Sequence, residues 1–242
     1  MSPKPFTISL AGIPMELSVV HPSTERFCRD YISEEPPRFS VVLTQSDIDA
    51  ERALSAKQDE RDHVKVRHFS DAYLETLALY RKIAVPLLDY GAVIFHSSVL
   101  AVDGRAYLFT APSGTGKTTH TRLWLDQIPG AYVLNGDKPL LRISEDGVFA
   151  CGTPWRGKEN YGCNAILPLS AICILERSEK NHITRISLRE VLGTLIQQTH
   201  KPDEEIIRCL QLVGQLGERV RLYRLGCNMD PEAARVSYRG MR

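Results

Sequence analysis

An apolar strand that runs without a break into a glycine-bearing loop, and from there into a helix, constrains this chain more than any other feature. Arg105-Ala106-Tyr107-Leu108-Phe109-Thr110 reads as the strand, Ala111-Pro112-Ser113-Gly114-Thr115-Gly116-Lys117-Thr118 as the loop, and Thr118 to Leu125 as the start of the helix. In that context consecutive backbone N–H groups turn inward, the helix N-terminus adds partial positive charge, and the lysine reaches the terminal phosphates. Ser113, Gly114, Thr115, Gly116, Lys117, Thr118 and Thr119 are therefore the candidate polyphosphate-binding residues, with the Thr118 hydroxyl placed to complete a magnesium shell. Ala111 stands where the fullest form of the pattern has glycine, while Gly116-Lys117-Thr118 is intact. The rival reading is a glycine turn before an ordinary helix, with Lys117 solvated and Thr118 as a cap. The strand before and the helix after the loop favour nucleoside triphosphate binding over that rival, but a loop alone does not separate hydrolysis from transfer.

The rest of the composition narrows the setting. At 242 residues, 43% hydrophobic and 24% charged, the chain fits one large domain or one domain with a smaller appendage. Thirty basic against twenty-nine acidic residues give a formal net charge of +1. No global field would draw in nucleic acid or an anionic membrane, so an anion has to be bound locally. The segment Met1 to Phe6 lacks the apolar core of a signal peptide, and no stretch reaches the roughly eighteen apolar residues of a membrane span. The expected setting is cytoplasmic, with no membrane partner. The six cysteines show neither C-x-x-C nor zinc-finger spacing and read as reduced thiols.

Two regions are expected. Residues 1–88 read as a small α+β region: a hairpin pattern of Phe6 to Leu10, a turn at Gly12 and Met15 to Val20, then an apolar run from Phe39 to Leu43. The charged stretch from Ser46 to His68 is weakly periodic and reads as exposed, and an amphipathic helix follows from Tyr73 to Leu88. Residues 89–242 read as the larger α/β region. There Ala92 to Val102 is expected as one strand, joined by Asp103-Gly104 to the loop-bearing strand, since Asp-Gly between apolar runs signals a hairpin. Further strands are expected at Ala131 to Leu134, Leu140 to Ile143 and Ala171 to Leu175, with a helix over Leu188 to Gln198 and a further apolar run at Val220 to Leu225. Asp230 is expected as an N-cap ahead of Pro231.

A bound triphosphate needs a carboxylate at the end of a neighbouring strand, either to hold the metal or to take a proton from the nucleophile. Asp137, after the apolar run ending at Leu134 and inside Asn135-Gly136-Asp137-Lys138-Pro139, is the candidate for both roles; the plain alternative is a solvated turn. His96, in the strand just upstream, is either a phosphate donor or a satisfied core histidine. Residues 152–162 mix three glycines with Arg156, Lys158, Trp155 and Tyr161. Such a loop either closes over the phosphates, with Arg156 or Lys158 neutralising charge, or is a surface loop plugged by Trp155. His120, in the first helical turn, reads as a surface or packing residue.

His96-Ser97-Ser98-Val99-Leu100, Gly104, residues 111–118, Asn135-Gly136-Asp137 and Arg156-Gly157 together resemble the catalytic domain of HPr kinase/phosphorylase. The similarity spans about residues 90 to 180. Members of that family phosphorylate a serine on a small carrier protein and share a fold with ATP-dependent phosphoenolpyruvate carboxykinase. The resemblance implies an α/β P-loop kinase core of that type, with ATP and Mg2+ as cofactors. It also implies His96 at a phosphate, Lys117 at the β- and γ-phosphates, Thr118 at the metal, and Asp137 as base towards the acceptor. The chain departs from the family in having Gly136-Asp137 where two adjacent acids are usual, and Pro154-Trp155 before Arg156-Gly157 where a magnesium-binding glutamate is usual. Glu159 is the nearest carboxylate in that stretch. Gly152-Thr153-Pro154-Trp155 and Arg224-Leu225-Gly226-Cys227-Asn228 look closer to stand-alone HPr kinase-like proteins.

The expectation is thus an ATP-dependent kinase acting on a hydroxyl of a protein or peptide, a serine above all. A small-molecule kinase and a nucleotide-binding regulator with little turnover are the alternatives, and homo-oligomerisation is left open.

Overall fold

The structure, a computed structural model, describes residues 4–112 and 114–242; Ser113, one of the candidate phosphate ligands, lies outside the described residues. The chain divides into two compact units on either side of the Leu87/Leu88 bond.

The first unit holds β1 (Phe6–Leu10), β2 (Ile13–Ser18), α1 (Pro22–Phe27), β3 (Phe39–Val42), α2 (Gln45–Arg61) and α3 (Asp71–Leu88). Strands β1 and β2 pair antiparallel through a two-residue turn in which both Ala11 and Gly12 have positive φ, the twist that suits a tight hairpin. Strand β3 joins β2 in parallel. The hairpin and the β3 run were legible, whereas the stretch from Ser46 to His68, expected as exposed and only weakly periodic, forms most of α2. Thr44 and Asp47 close its N-terminus as a capping box, and its inward face carries Ile48 together with Glu51 and Asp59. Those two carboxylates are paired, Glu51 with Arg81 and Asp59 with Arg67. On α3, the buried Glu75 accepts the Val20 and His21 amides and the Thr24 hydroxyl, anchoring the start of α1.

The second unit contains β4 (Ala92–Ile94), β5 (Ser98–Val102), β6 (Arg105–Thr110), α4 (Lys117–Gln127), β7 (Tyr132–Asn135), β8 (Leu140–Ser144) and β9 (Gly147–Cys151). It continues with β10 (Ile166–Arg177), β11 (His182–Arg185), α5 (Leu188–Gln198), α6 (Ile206–Arg219), β12 (Arg221–Cys227) and α7 (Glu232–Met241). Its strands form one mixed sheet, so the unit is a mixed α/β structure. The long strand β10 joins two stretches of that sheet. Its first residues pair antiparallel with β9, which leads through β8 to β4. Its later residues lie parallel to both β6 and β12. Alternation along β10 feeds two cores: Ile172 and Ile174 pack with Val191 and Leu195 of α5 and Val213 and Leu216 of α6, while Cys173 and Leu175 pack with Trp124 of α4 and Ala234 of α7. Helices therefore cover both faces, α5 and α6 on one, α4 and α7 on the other.

The expected single strand over Ala92 to Val102 is two strands. Residues 95–97 leave the ladder because β4 pairs with β8 while β5 pairs with β6 and β7, and His96 falls in the break. At the C-terminus Ala233 N donates to the Asp230 carbonyl and Pro231 has helical dihedrals, although regular helix begins one residue later, at Glu232. Among the described residues no helix is long and apolar enough to cross a membrane.

His120 packs inward from the first turn of α4. Its Nε2 lies 3.1 Å from the Ser237 hydroxyl of α7, which also accepts the Trp124 indole N–H at 2.7 Å. Burial pushes the His120 imidazolium down to about 4, against an ordinary 6.5. The unfolded chain binds that proton near 6.5 and the folded chain only near 4, so this contribution to stability is fully present above 6.5 and is lost as pH falls towards 4. His120→Gln, which keeps a polar group facing Ser237, should flatten the loss of unfolding free energy between neutral and acid pH by up to about 3 kcal/mol. Urea titrations of both proteins across that range measure it, and identical pH slopes would contradict the assignment.

Candidate functional site

Strand directions set the site. β5 runs antiparallel to both β6 and β7, and β10 and β12 run parallel to β6. The ends of β6, β7 and β10 and the beginning of β5 consequently share one edge of the sheet. The glycine-bearing loop, Asp137, Arg177 and His96 all follow or precede those strand ends.

In the loop, Gly114 (φ +77°) and Gly116 (φ +123°) occupy the left-handed half of backbone space with open room around a notional Cβ, so conformation rather than crowding selects glycine. Gly116 leads into α4. The His120 amide makes an intrahelical bond to the Gly116 carbonyl (2.9 Å), which leaves the amides of Lys117, Thr118 and Thr119 in the first turn without intrahelical acceptors. Thr118 and Thr119 are exposed there, while the Thr115 hydroxyl turns back to donate to the Pro112 carbonyl. Lys117 folds over its own loop and donates to the Ala111 carbonyl at 2.9 Å. Its pKa is lowered, chiefly by burial and further by Lys138, with Asp137 opposing.

Asp137 sits on a turn that Asn135 builds. The Asn135 carbonyl oxygen Oδ1 accepts the Asp137 and Lys138 amides at 2.9 and 2.8 Å, and its Nδ2 donates to Thr153 O and Oγ1. Asn135 is fully buried and thus bridges the carboxylate turn to the 152–162 loop. Asp137 Oδ1 lies 3.1 Å from Lys138 Nζ and 3.4 Å from His96 Nε2, with the carboxylate a third exposed. Burial, then the charges of Lys138 and Lys117, pull the His96 pKa down to about 4, against the opposing pull of Asp137. His96 is accordingly neutral at pH 7. Its backbone is fixed by donation to the Gln198 carbonyl (2.7 Å) and by the Thr110 hydroxyl donating to the His96 carbonyl (3.0 Å).

The 152–162 loop lies against this turn. Trp155 is buried, as the plug reading expected, and its carbonyl accepts the Lys138 amide. Gly136 N donates to Tyr161 O, and a Cβ on Gly136 would come within 2.8 Å of the Arg156 carbonyl. Arg156 packs its methylenes near Gly162 and its charge near Cys163, whose thiol it draws down against the larger upward push of burial. Lys158 stands exposed at the loop tip, and Glu159 pairs with Arg122 of α4 at 3.3 Å. Gly136→Ala should shift the Asp137 turn away from Arg156 and cost about 1–3 kcal/mol of stability; urea denaturation checks this, and an unchanged midpoint would contradict the packing described.

Two residues at the edge escaped sequence reasoning. Lys138 stands beside Asp137 in the chain, a signal that was available. Arg177, at the end of β10, donates from Nη2 to the Gly114 carbonyl at 2.8 Å, and only the β6–β10 pairing reveals it.

No protein-family model matches the chain, and neither does any curated protein sequence. Among solved structures it is similar to the Hpr(Ser) kinase/phosphatase from Coxiella burnetii, with a TM-score of 0.39 and 10% identity over 61% of this chain and 89% of that one. A likeness of that degree fixes neither fold nor activity, so the functional reading rests on the site itself.

Proposed function

We propose that the protein is an ATP-dependent kinase that transfers the γ-phosphoryl group to a hydroxyl, with a serine of a protein or peptide as acceptor. The observation that carries this reading is the gathering at one sheet edge of a helix-opening glycine loop with its lysine and a carboxylate flanked by a second lysine and a neutral histidine. The motifs from His96 to Arg156-Gly157, which resemble HPr kinase/phosphorylase, support the choice of acceptor.

In this reading Lys117 leaves the Ala111 carbonyl to meet the β- and γ-phosphates, and the amides at the start of α4 take phosphate oxygens. His96 donates a ring N–H to a γ-phosphate oxygen, which either protonation state of the imidazole can do. Lys138, Arg156 and Lys158 supply positive charge around the transferred group. The acceptor oxygen forms its bond to the γ-phosphorus, the bond to the β–γ bridging oxygen breaks with its electron pair leaving on ADP, and the hydroxyl proton passes to Asp137. The described residues hold no cluster of three acidic, histidine or cysteine side chains. A magnesium ion would take the Thr118 hydroxyl and, in the alternative where Asp137 is not the base, the Asp137 carboxylate, in keeping with a hard cation held by one or two protein ligands plus phosphates and water. Bound there, magnesium would neutralise charge on the phosphate oxygens.

Incubation of the protein with γ-labelled ATP, magnesium and its own cell extract tests the proposal. Label should appear on a protein or peptide as phosphoserine. Label confined to small molecules, or release of inorganic phosphate alone, contradicts the acceptor assignment.

A further inference from the structure

Strand β6 stands between β5 and β10, so the loop that follows it has two flanks at the sheet edge. His96 and Asp137 occupy the β5 flank. On the β10 flank lies a cleft of about 520 Å³ bordered by Pro112, Gly114, Ile174, Glu176, Arg177 and Thr194 of α5. Its volume falls within the roughly 300–1,000 Å³ typical of small-molecule sites. A triphosphate that follows the loop with its γ end towards Asp137 would carry its α end towards the opposite flank, where this cleft opens.

We propose that the cleft receives the nucleoside half of the triphosphate, its heteroaromatic base and ribose. The proposal rests on the reading of the loop as a polyphosphate site and extends it. The Pro112 ring and the Ile174 side chain provide apolar contact for a flat base, and the Thr194 hydroxyl provides a hydrogen-bonding partner. Glu176, which pairs with Arg224 at 3.0 Å, offers a carboxylate to ribose hydroxyls. Arg177 uses one N–H on the Gly114 carbonyl, and a guanidinium carries five. Its other donors are therefore placed at the rim of the loop, where an α-phosphate would pass.

The test compares magnesium–ATP with inorganic tripolyphosphate by calorimetry on the full chain. Wild-type protein should bind ATP at least about tenfold more tightly than tripolyphosphate. Thr194→Trp, which fills the cleft from a position outside the transfer machinery, should lose at least about tenfold in ATP affinity and keep its affinity for tripolyphosphate. Equal wild-type affinities for the two ligands, or a tryptophan variant that binds ATP as wild type does, would overturn the proposal. Wild-type protein that binds tripolyphosphate but gains nothing from the nucleoside defeats the cleft alone; binding neither ligand defeats the loop reading as well. Should the tryptophan variant fail to fold, photolabelling of wild type with 8-azido-ATP decides: attachment at Pro112, within residues 174–177 or at Thr194 supports the cleft, and attachment outside the residues that line it overturns it.

Discussion

Lys117→Ala is expected to lower affinity for magnesium–ATP by roughly a hundredfold, about 3 kcal/mol, because a partly buried ammonium loses its contacts with two phosphates. The side chain already lies inside the loop, bonded to the Ala111 carbonyl at 2.9 Å, and its pKa is lowered mainly by burial. A cation held partly out of solvent gains more from an anion than a fully solvated one would. Removing it also deletes one neutral acceptor contact, so stability should fall by only about 1 kcal/mol and the protein should stay folded. Calorimetry with the variant provides the measurement. Undiminished nucleotide affinity would show that the loop does not bind the phosphates.

Asp137→Asn should leave nucleotide affinity nearly intact and lower the transfer rate by about 10²–10⁴-fold, the usual worth of a positioned general base. Asparagine retains the shape, so the turn built by Asn135, with its amide bonds at 2.9 and 2.8 Å, should persist. Single-turnover transfer from γ-labelled ATP, alongside a magnesium titration, separates the two roles open to this carboxylate. A variant that transfers normally at saturating magnesium and merely needs more of it would make Asp137 a metal ligand and not the base.

Local signals fixed the parts of this molecule that local physics controls. The loop, the Asp103-Gly104 hairpin and the span of α5 could be read because glycine placement, turn chemistry and a 3.6-residue apolar period each act over a few residues. Helix α2 was missed since its buried face is built from charge: Glu51 and Asp59 point inward to Arg81 and Arg67, and an apolar count sees only Ile48. Helix α6 was missed although Cys209, Val213 and Leu216 keep helical spacing, because Gly214 and Gly217 break the propensity. Gly217 is there for packing, as a Cβ would come within 2.2 Å of Leu188 on α5. The break at His96 and the approach of Arg177 to the loop depend on which strand pairs with which. Strand order is a property of the whole sheet, and no run of adjacent residues encodes it.

Main-chain amides opening α4, together with Lys117, are proposed to grip a polyphosphate. Amide-resolved NMR of the labelled protein, titrated with magnesium and a non-hydrolysable ATP analogue, tests this most directly. The largest shifts should fall on the amides of Gly114, Thr115, Gly116, Lys117, Thr118 and Thr119. A spectrum unmoved at those amides under saturating nucleotide, or shifts centred on another part of the chain, would contradict the proposal.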